Sequence, residues 1–326
     1  MIRARKLTRH FRVKKETVEA VRGLDLDVED GELVAFLGPN GAGKSTSLRM
    51  LTTLLPPTDG TATVAGADVR TDPAGVRQRI GYVGQGSGAG HYFRVRDELA
   101  TQGRCYGLSR RASRTRADEL LAVFDLEQLA TRTVSTLSGG QRRRLDIAIG
   151  MVHRPRLLFL DEPSTGLDPQ NRAHLAEHIR RLRRDFGTTI FLTTHYLEEA
   201  DALAERVVVI DRGTVIADDT PERLKATLAG DRITVTVGSA AARPAPGGGG
   251  AGGRGAGVAA GVPGAHEVTT DGAAVRIRAT GGDTVVPELV LALAAAGVRT
   301  RAVDLRRPTL DDVFLTLTGR SLREGA

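Results

Sequence analysis

The chain has 326 residues, long enough for one large domain or for one of roughly 200 residues with a smaller companion. Its 40% hydrophobic and 26% charged residues exclude a disordered chain and give the balance of a soluble globular protein. One cysteine, Cys105, excludes an internal disulfide, which suits a reducing compartment or a secreted protein that needs none; the net charge of +7 reads as arginine-rich solvated surface, so no nucleic-acid partner is expected.

The opening Met1-Ile2-Arg3-Ala4-Arg5-Lys6 runs into further charges, and neither a signal peptide nor a membrane anchor is expected there. From residue 1 to about 230, short apolar runs alternate with amphipathic stretches, the pattern of an α/β fold built on a largely parallel sheet. The first clear strand is Leu33–Leu37, followed by Gly38-Pro39-Asn40-Gly41-Ala42-Gly43-Lys44-Ser45-Thr46 and a helical run over 47–54. Strand, glycine-rich loop and helix in that order are the context a phosphate-binding loop requires. Glycines let the backbone amides wrap a polyphosphate, and the helix N-terminus adds partial positive charge. Lys44 would reach the β- and γ-phosphates as a mobile point charge, and the Ser45 hydroxyl would help hold Mg²⁺, so the expected ligand is a nucleoside triphosphate.

A second strand is expected over Ile80–Val83. Further on, Leu137-Ser138-Gly139-Gly140-Gln141 precedes an apolar-periodic helix over 142–151, which makes Ser138 a helix N-cap and the exposed amides a second anion site. Two phosphate-directed helix starts so far apart either fold onto one ligand or are shared between two subunits; spacing does not choose. The strand over 157–160 ends in Asp161-Glu162, putting two carboxylates at the C-terminal edge of a parallel sheet. Beside a triphosphate, Asp161 would orient Mg²⁺ through its hydration shell and Glu162 would polarise the attacking water as general base. Strands over 189–193 and 207–210 follow, and Asp211-Arg212-Gly213 carries the chemistry of a hairpin turn.

Beyond residue 230, alternating segments over 233–237 and 274–277 look like strands of one small α/β domain. Between them, 238–264 collapses into Gly, Ala and Pro and is expected to be a flexible insertion that interrupts this domain. The most apolar stretch, 285–298, contains Pro287 and Glu288 and falls short of the ~20 residues of a membrane helix.

The phosphate loop, the Leu137-to-Gln141 motif and Asp161-Glu162 together resemble the ATP-binding subunits of ABC transporters. Gln85 after the second strand, Ser164-Thr165-Gly166-Leu167-Asp168, and His195 in Thr193-Thr194-His195 fit the same pattern, in order. The resemblance implies an α/β fold of the P-loop NTPase class: an ABC-type nucleotide-binding domain over 1–229 with a helical subdomain inserted over about 86–150. A small C-terminal α/β domain over 230–326 would follow. It also implies a head-to-tail dimer, either a homodimer or paired nucleotide-binding subunits, with ATP and Mg²⁺ between Lys44 of one copy and Ser138, Gly139, Gly140 and Gln141 of the other. By the same resemblance Gln85 senses Mg²⁺ and water, His195 contacts the γ-phosphate, Asp168 lies at the dimer seam and Phe11 stacks on adenine; an ordinary core position for Phe11 stays open.

The stretch Thr194-His195-Tyr196-Leu197-Glu198-Glu199-Ala200-Asp201 and the closing Arg307-Pro308-Thr309-Leu310-Asp311-Asp312-Val313-Phe314 look like the drug-exporter branch typified by daunorubicin-resistance ATP-binding proteins. That branch implies an ATPase at the cytoplasmic face of the membrane, paired with a separate transmembrane permease that docks around residues 86–106, and export of a drug or other amphipathic compound. The alternatives are the energising subunit of an importer, or a non-transport ABC ATPase acting on ribosomes or DNA.

Overall fold

The computed structural model describes residues 1–14, 16–238 and 251–320, which fall into two compact units, Met1–Thr220 and Pro221 onward. In the first unit two long strands, β1 (Ile2–Val13) and β2 (Glu16–Val28), pair antiparallel, and β4 (Asp59–Val64) and β5 (Ala67–Asp68) extend them into a sheet of order β2-β1-β4-β5. This sheet has no counterpart among the expected strands. Its strands alternate buried apolar with exposed charged residues, and β1 has register shifts after Ala4, Leu7 and Arg9, so no clean apolar run marks it.

The main sheet contains β3 (Leu33–Leu37), β6 (Ile80–Val83), β7 (Leu157–Asp161), β8 (Thr189–Thr194), β9 (Arg206–Asp211) and β10 (Thr214–Asp219), in the order β10-β9-β3-β8-β7-β6. All neighbours are parallel except the hairpin β9/β10, which turns at Arg212-Gly213. Every residue of β3, β7 and β8 is buried, as parallel strands covered on both faces require. Phe191 lies at their centre, its ring 5.5 Å from that of Phe36 and 5.7 Å from that of Phe159.

Among the described residues, four helices of this unit start at a side-chain cap. Helix α1 (Lys44–Leu51) starts at Gly43, whose φ of 106° is a left-handed conformation that favours glycine and whose Cβ would lie 2.6 Å from Ala20 O. Helix α2 (Pro73–Arg79) is capped by Asp72 with proline at its first position. Between β6 and β7 lie α3 (Val95–Cys105), α4 (Arg110–Val123) and α5 (Gly139–Gly150), of which α4 is capped by Ser109 and α5 by Ser138. Helix α6 (Pro169–Phe186) starts at Asp168 and ends at Gly187, and α7 (Leu197–Leu203) follows β8.

The second unit begins nine residues before the boundary read from sequence, because α8 (Pro221–Leu224) and the π-helical turn Lys225–Ala229 pack with α11 (Leu310–Thr318). Strands β11 (Asp231–Gly238), β12 (Ala265–Asp271), β13 (Ala274–Ala279) and β14 (Arg299–Arg306) form an antiparallel sheet of order β12-β13-β11-β14. With α9 (Ala251–Ala259) and α10 (Gly282–Ala295) the chain runs β-α-β-β-α-β, a split βαβ arrangement.

Helix α9 and the turn after it correct the expectation of a flexible segment over 238–264, of which 239–250 lie outside the described residues. Ala259 and Val262 are buried against β11 and β13, and that burial overrides the poor helix propensity of Ala-Gly-Gly-Arg-Gly-Ala-Gly-Val-Ala. Glycine is also sterically useful here: a Cβ on Gly252 would lie 2.2 Å from Gly272 O, and one on Gly255 3.1 Å from Val275. Gly252→Val is expected to destabilise this unit by about 1–3 kcal/mol through overpacking. Gly253→Ala, in open space on the same helix, is expected to stabilise it by about 0.5–1 kcal/mol. Urea unfolding of the two variants checks both signs.

Candidate functional site

Parallel pairing brings four strand ends into line: Leu37 opposite Thr194, Asp161 opposite Thr193, and Val83 opposite Leu160. The loops leaving these ends carry the phosphate loop, Gln85, Asp161-Glu162 and His195. The phosphate loop (Gly38, Pro39, Asn40, Gly41, Ala42, Gly43) closes on itself: Ala42 N donates to Pro39 O at 3.2 Å and Ser47 N to Gly43 O at 2.9 Å. A Cβ on Gly38 would lie 2.3 Å from Ile210 O, so the strand can leave the sheet along this path only with glycine there.

Lys44 is 4% exposed; its Nζ donates to Gly38 O (2.7 Å) and Pro39 O (3.0 Å) and lies 3.4 Å from Glu162 Oε1. Burial pushes its ammonium below the usual lysine range, and the charges of Glu162 and Asp161 oppose that shift. Ser45 Oγ donates to Asp161 Oδ1 at 3.0 Å and accepts from Gln85 Nε2 at 3.4 Å. Thr193 Oγ1 donates to the same Asp161 oxygen at 2.7 Å, while Asp161 Oδ2 is buried with no partner. That orphaned oxygen, the Ser45 hydroxyl and the Gln85 amide are a hard-oxygen donor set of the kind Mg²⁺ prefers.

Glu162 has a positive φ of 46°, an uncommon backbone state for a non-glycine residue, which turns its carboxylate out of the strand direction. Its N–H donates to Thr193 O (3.2 Å) and Oγ1 (3.0 Å), which holds that turn. Oε2 accepts from Thr165 Oγ1 at 3.3 Å and lies 3.4 Å from His195 Nδ1. The carboxylate therefore stands between the loop lysine and the histidine, within reach of a water placed between them.

The Ser138 motif has a different setting. Ser138 Oγ accepts from Gln141 N (3.3 Å) and Gln141 Oε1 accepts from Ser138 N (3.0 Å), a reciprocal capping box. Ser138 and Gly139 are exposed, whereas Gly140 is buried against Asn171. Asp168 caps α6, its carboxylate accepting from Asn171 N (2.9 Å) and Nδ2 (2.6 Å). Phe11 is half-buried on β1, outside the core, with the Arg9 guanidinium 4.8 Å from its ring centre; the core reading of Phe11 does not hold.

Three residues that sequence reasoning did not single out organise the site. Arg143, buried in α5, donates to Gly84 O (2.7 Å), Pro163 O (2.8 Å) and Asp161 O (3.2 Å), tying the helix that Ser138 caps to the loops that carry Gln85 and Glu162. Asp146 Oδ1 accepts from Gly88 N (2.9 Å), Ala89 N (3.2 Å) and Ser87 Oγ (3.3 Å), so the glycine-rich run after Gln85 is anchored to the same helix. The signal was an aspartate inside an apolar helical run. Thr193 is the third, through Asp161 and Glu162.

Behind the site Glu199 is buried and one of its oxygens has no partner. Burial pushes its carboxyl above the usual range, opposed by the Thr194 hydroxyl and the charges of Arg172 and Arg143. A raised value means that the folded chain holds the proton more tightly, so its contribution to stability is present at low pH and lost as pH rises through the folded value. Glu199→Gln is expected to raise the urea midpoint at mildly alkaline pH, with the gain shrinking as pH falls toward the carboxylate range. An equal gain at both ends would assign the effect to packing.

Phosphate loop, acidic strand end and capped Ser-Gly-Gly-Gln helix on one mostly parallel sheet define a P-loop ATPase of the ABC class. The family model "ABC transporter" matches residues 21–165, and that of the "ATP-binding protein DrrA1-3-like, C-terminal domain" matches 220–318. The daunorubicin resistance ATP-binding protein DrrA2 of Streptomyces coeruleorubidus is 45% identical over 98% of this chain and 95% of its own length. The linearmycin resistance ATP-binding protein LnrL of Bacillus subtilis is 33% identical over 95% and 96%. Among solved structures, a dimeric post-hydrolysis ATP-binding cassette bound to ADP and Pi aligns with a TM-score of 0.62 at 25% identity, over 68% of this chain and 98% of that one. The chain thus belongs to the ABC transporter ATP-binding proteins of the DrrA daunorubicin/doxorubicin-resistance family, and it is an ATPase subunit of that transporter class.

Proposed function

We propose that two copies of this chain pack head to tail, each ATP lying between the phosphate loop of one and Ser138 to Gln141 of the other, and that their closure drives export through a separate permease. The observation that carries this reading is the separation of roles within one chain. Lys44, Ser45, Asp161, Glu162 and His195 converge at the strand ends, while the capped α5 start exposes Ser138 and Gly139 to solvent. A helix start of that kind takes up anionic oxygens. The dimeric solved relative supports the pairing.

In this reading Ser45, Gln85 and Asp161 would hold Mg²⁺, which would supply positive charge beside the phosphates. Glu162 takes a proton from the attacking water, His195 donates to the γ-phosphate, and Asp168 lies at the seam where the copies meet. Phe11 faces the adenine. Loss of the γ-phosphate removes the bridge between the halves and lets them part.

The permease docks around residues 86–106, where Tyr92 (87% exposed) and Phe93 (59%) present apolar surface just beyond the run that Asp146 anchors. Arg143 and Asp146 then couple that surface to Asp161 through α5. Among the described residues no helix is long and apolar enough to cross a membrane, in keeping with a peripheral subunit at the cytoplasmic face. The cargo is a drug or another amphipathic compound, as the names of the resistance relatives suggest. Recovering the full chain with ATP from solubilised membranes of its host is expected to bring down one integral membrane protein in equal amount. Recovery with ribosomal proteins or DNA instead would overturn the transport reading and leave the ATPase intact.

A further inference from the structure

Away from the nucleotide site, α6 carries His174 and His178, four residues apart and therefore on one face of the helix. Asp125, in the turn that follows α4, faces both: its Oδ2 is 3.5 Å from Nε2 of His174 and 3.5 Å from Nε2 of His178. The three atoms lie within 4.8 Å of one another, and the two imidazole rings are 4.8 Å apart at 52°.

His178 is 2% exposed, and neither of its ring nitrogens has a hydrogen-bond partner. Leaving a buried polar group unpaired costs about 1–3 kcal/mol, so a buried imidazole aimed at a second imidazole and a carboxylate needs a ligand to account for it. We propose that Asp125, His174 and His178 form a binding site for a borderline divalent cation of the Zn²⁺ type, with water completing the coordination on the exposed side.

The donor set is the two-imidazole, one-carboxylate combination that Zn²⁺ accepts in sites with an open position. Bonds of about 2.0–2.1 Å in a tetrahedral site place neighbouring donor atoms about 3.3 Å apart. Both carboxylate-to-imidazole edges are already near that length. The remaining edge would close by rotation of His174, whose side chain is 47% exposed.

The surroundings suit the proposal. Arg144, the nearest competing cation, has its Nη1 4.0 Å from Asp125 Oδ2 but donates to the carbonyls of Phe124 (2.8 Å) and Asp125 (3.3 Å). The Phe124 ring, 5.5 Å from that of His178, forms an apolar wall. His178 Nδ1 lacks the outer partner that orients most metal-bound imidazoles, which places the affinity below that of structural zinc sites. A bound ion would pin the turn after α4 to α6, the helix that starts at Asp168.

The test titrates Co²⁺ and then Zn²⁺ into the full chain, free of any histidine tag, with excess Mg²⁺ and ADP present so that the nucleotide site is occupied. One equivalent of Co²⁺ with visible bands of low-symmetry coordination, displaced by Zn²⁺ and not by Mg²⁺, is expected, together with a rise in thermal midpoint on adding Zn²⁺. His174→Ala removes a half-exposed ring and Asp125→Asn keeps a residue tolerant of the φ of 51° found there, so both variants should fold. Each is expected to weaken Co²⁺ binding at least about tenfold and to abolish the thermal shift. No bound equivalent in the wild type, or binding undiminished in both variants, would overturn the site.

Discussion

Glu162→Gln is expected to lower ATP turnover by about 10²- to 10⁴-fold while leaving Mg²⁺-ATP bound, an increase of roughly 3–5 kcal/mol in the barrier. The substitution keeps the volume of the side chain and the N–H contacts to Thr193 that hold the turn, since those use the backbone. What it removes is the negative charge, and with it the capacity to accept a proton from water. In the proposed site triphosphate affinity rests instead on Lys44, Ser45 and the loop amides, and removing a negative charge beside the γ-phosphate favours binding. Phosphate release and equilibrium binding of a fluorescent ATP analogue separate the two effects. Turnover close to wild type would remove Glu162 from the role of base, and loss of binding would show that the substitution had disturbed Lys44 through their 3.4 Å contact.

Strands β3, β7 and β8 were legible because burial on both faces leaves continuous apolar runs, whereas β1 and β2 were not, because one face of each carries Arg3, Arg5, Glu16 and Arg22 into solvent. Helix α9 was hidden by its own glycines, whose value lies in approach to Gly272 and Val275, residues that only the folded sheet brings near. The same distinction runs through the site. The phosphate loop, the Ser138 cap and the acidic strand end act through local backbone geometry and could be read from spacing. Arg143 and Asp146 act on carbonyls and amides 18 to 59 positions away, and Asp125 meets His178 only once the turn after α4 has reached α6. Such pairings leave no periodic mark in a single sequence.

If the site is shared between two copies as proposed, it makes a demand that no single-chain arrangement makes. Lys44→Ala removes the charge that meets the β- and γ-phosphates, and Ser138→Arg fills the exposed start of α5 with a bulky cation and removes its cap; each homodimer is expected to lose at least about 100-fold in turnover. Loss of the Ser138 cap alone costs only about 1 kcal/mol of stability, so that variant should fold. A heterodimer assembled from one chain of each kind, isolated through two different tags, contains one composite site with intact Lys44 and intact Ser138, and one with neither. It is expected to recover about half the wild-type rate per dimer if the two sites work independently. Phosphate release by the purified heterodimer, compared with both parents, is the measurement. If Lys44 and Ser138 served a nucleotide within the same chain, every site in the heterodimer would carry one lesion and the rate would stay at the parental level, so recovery assigns the two motifs to opposite sides of one ATP.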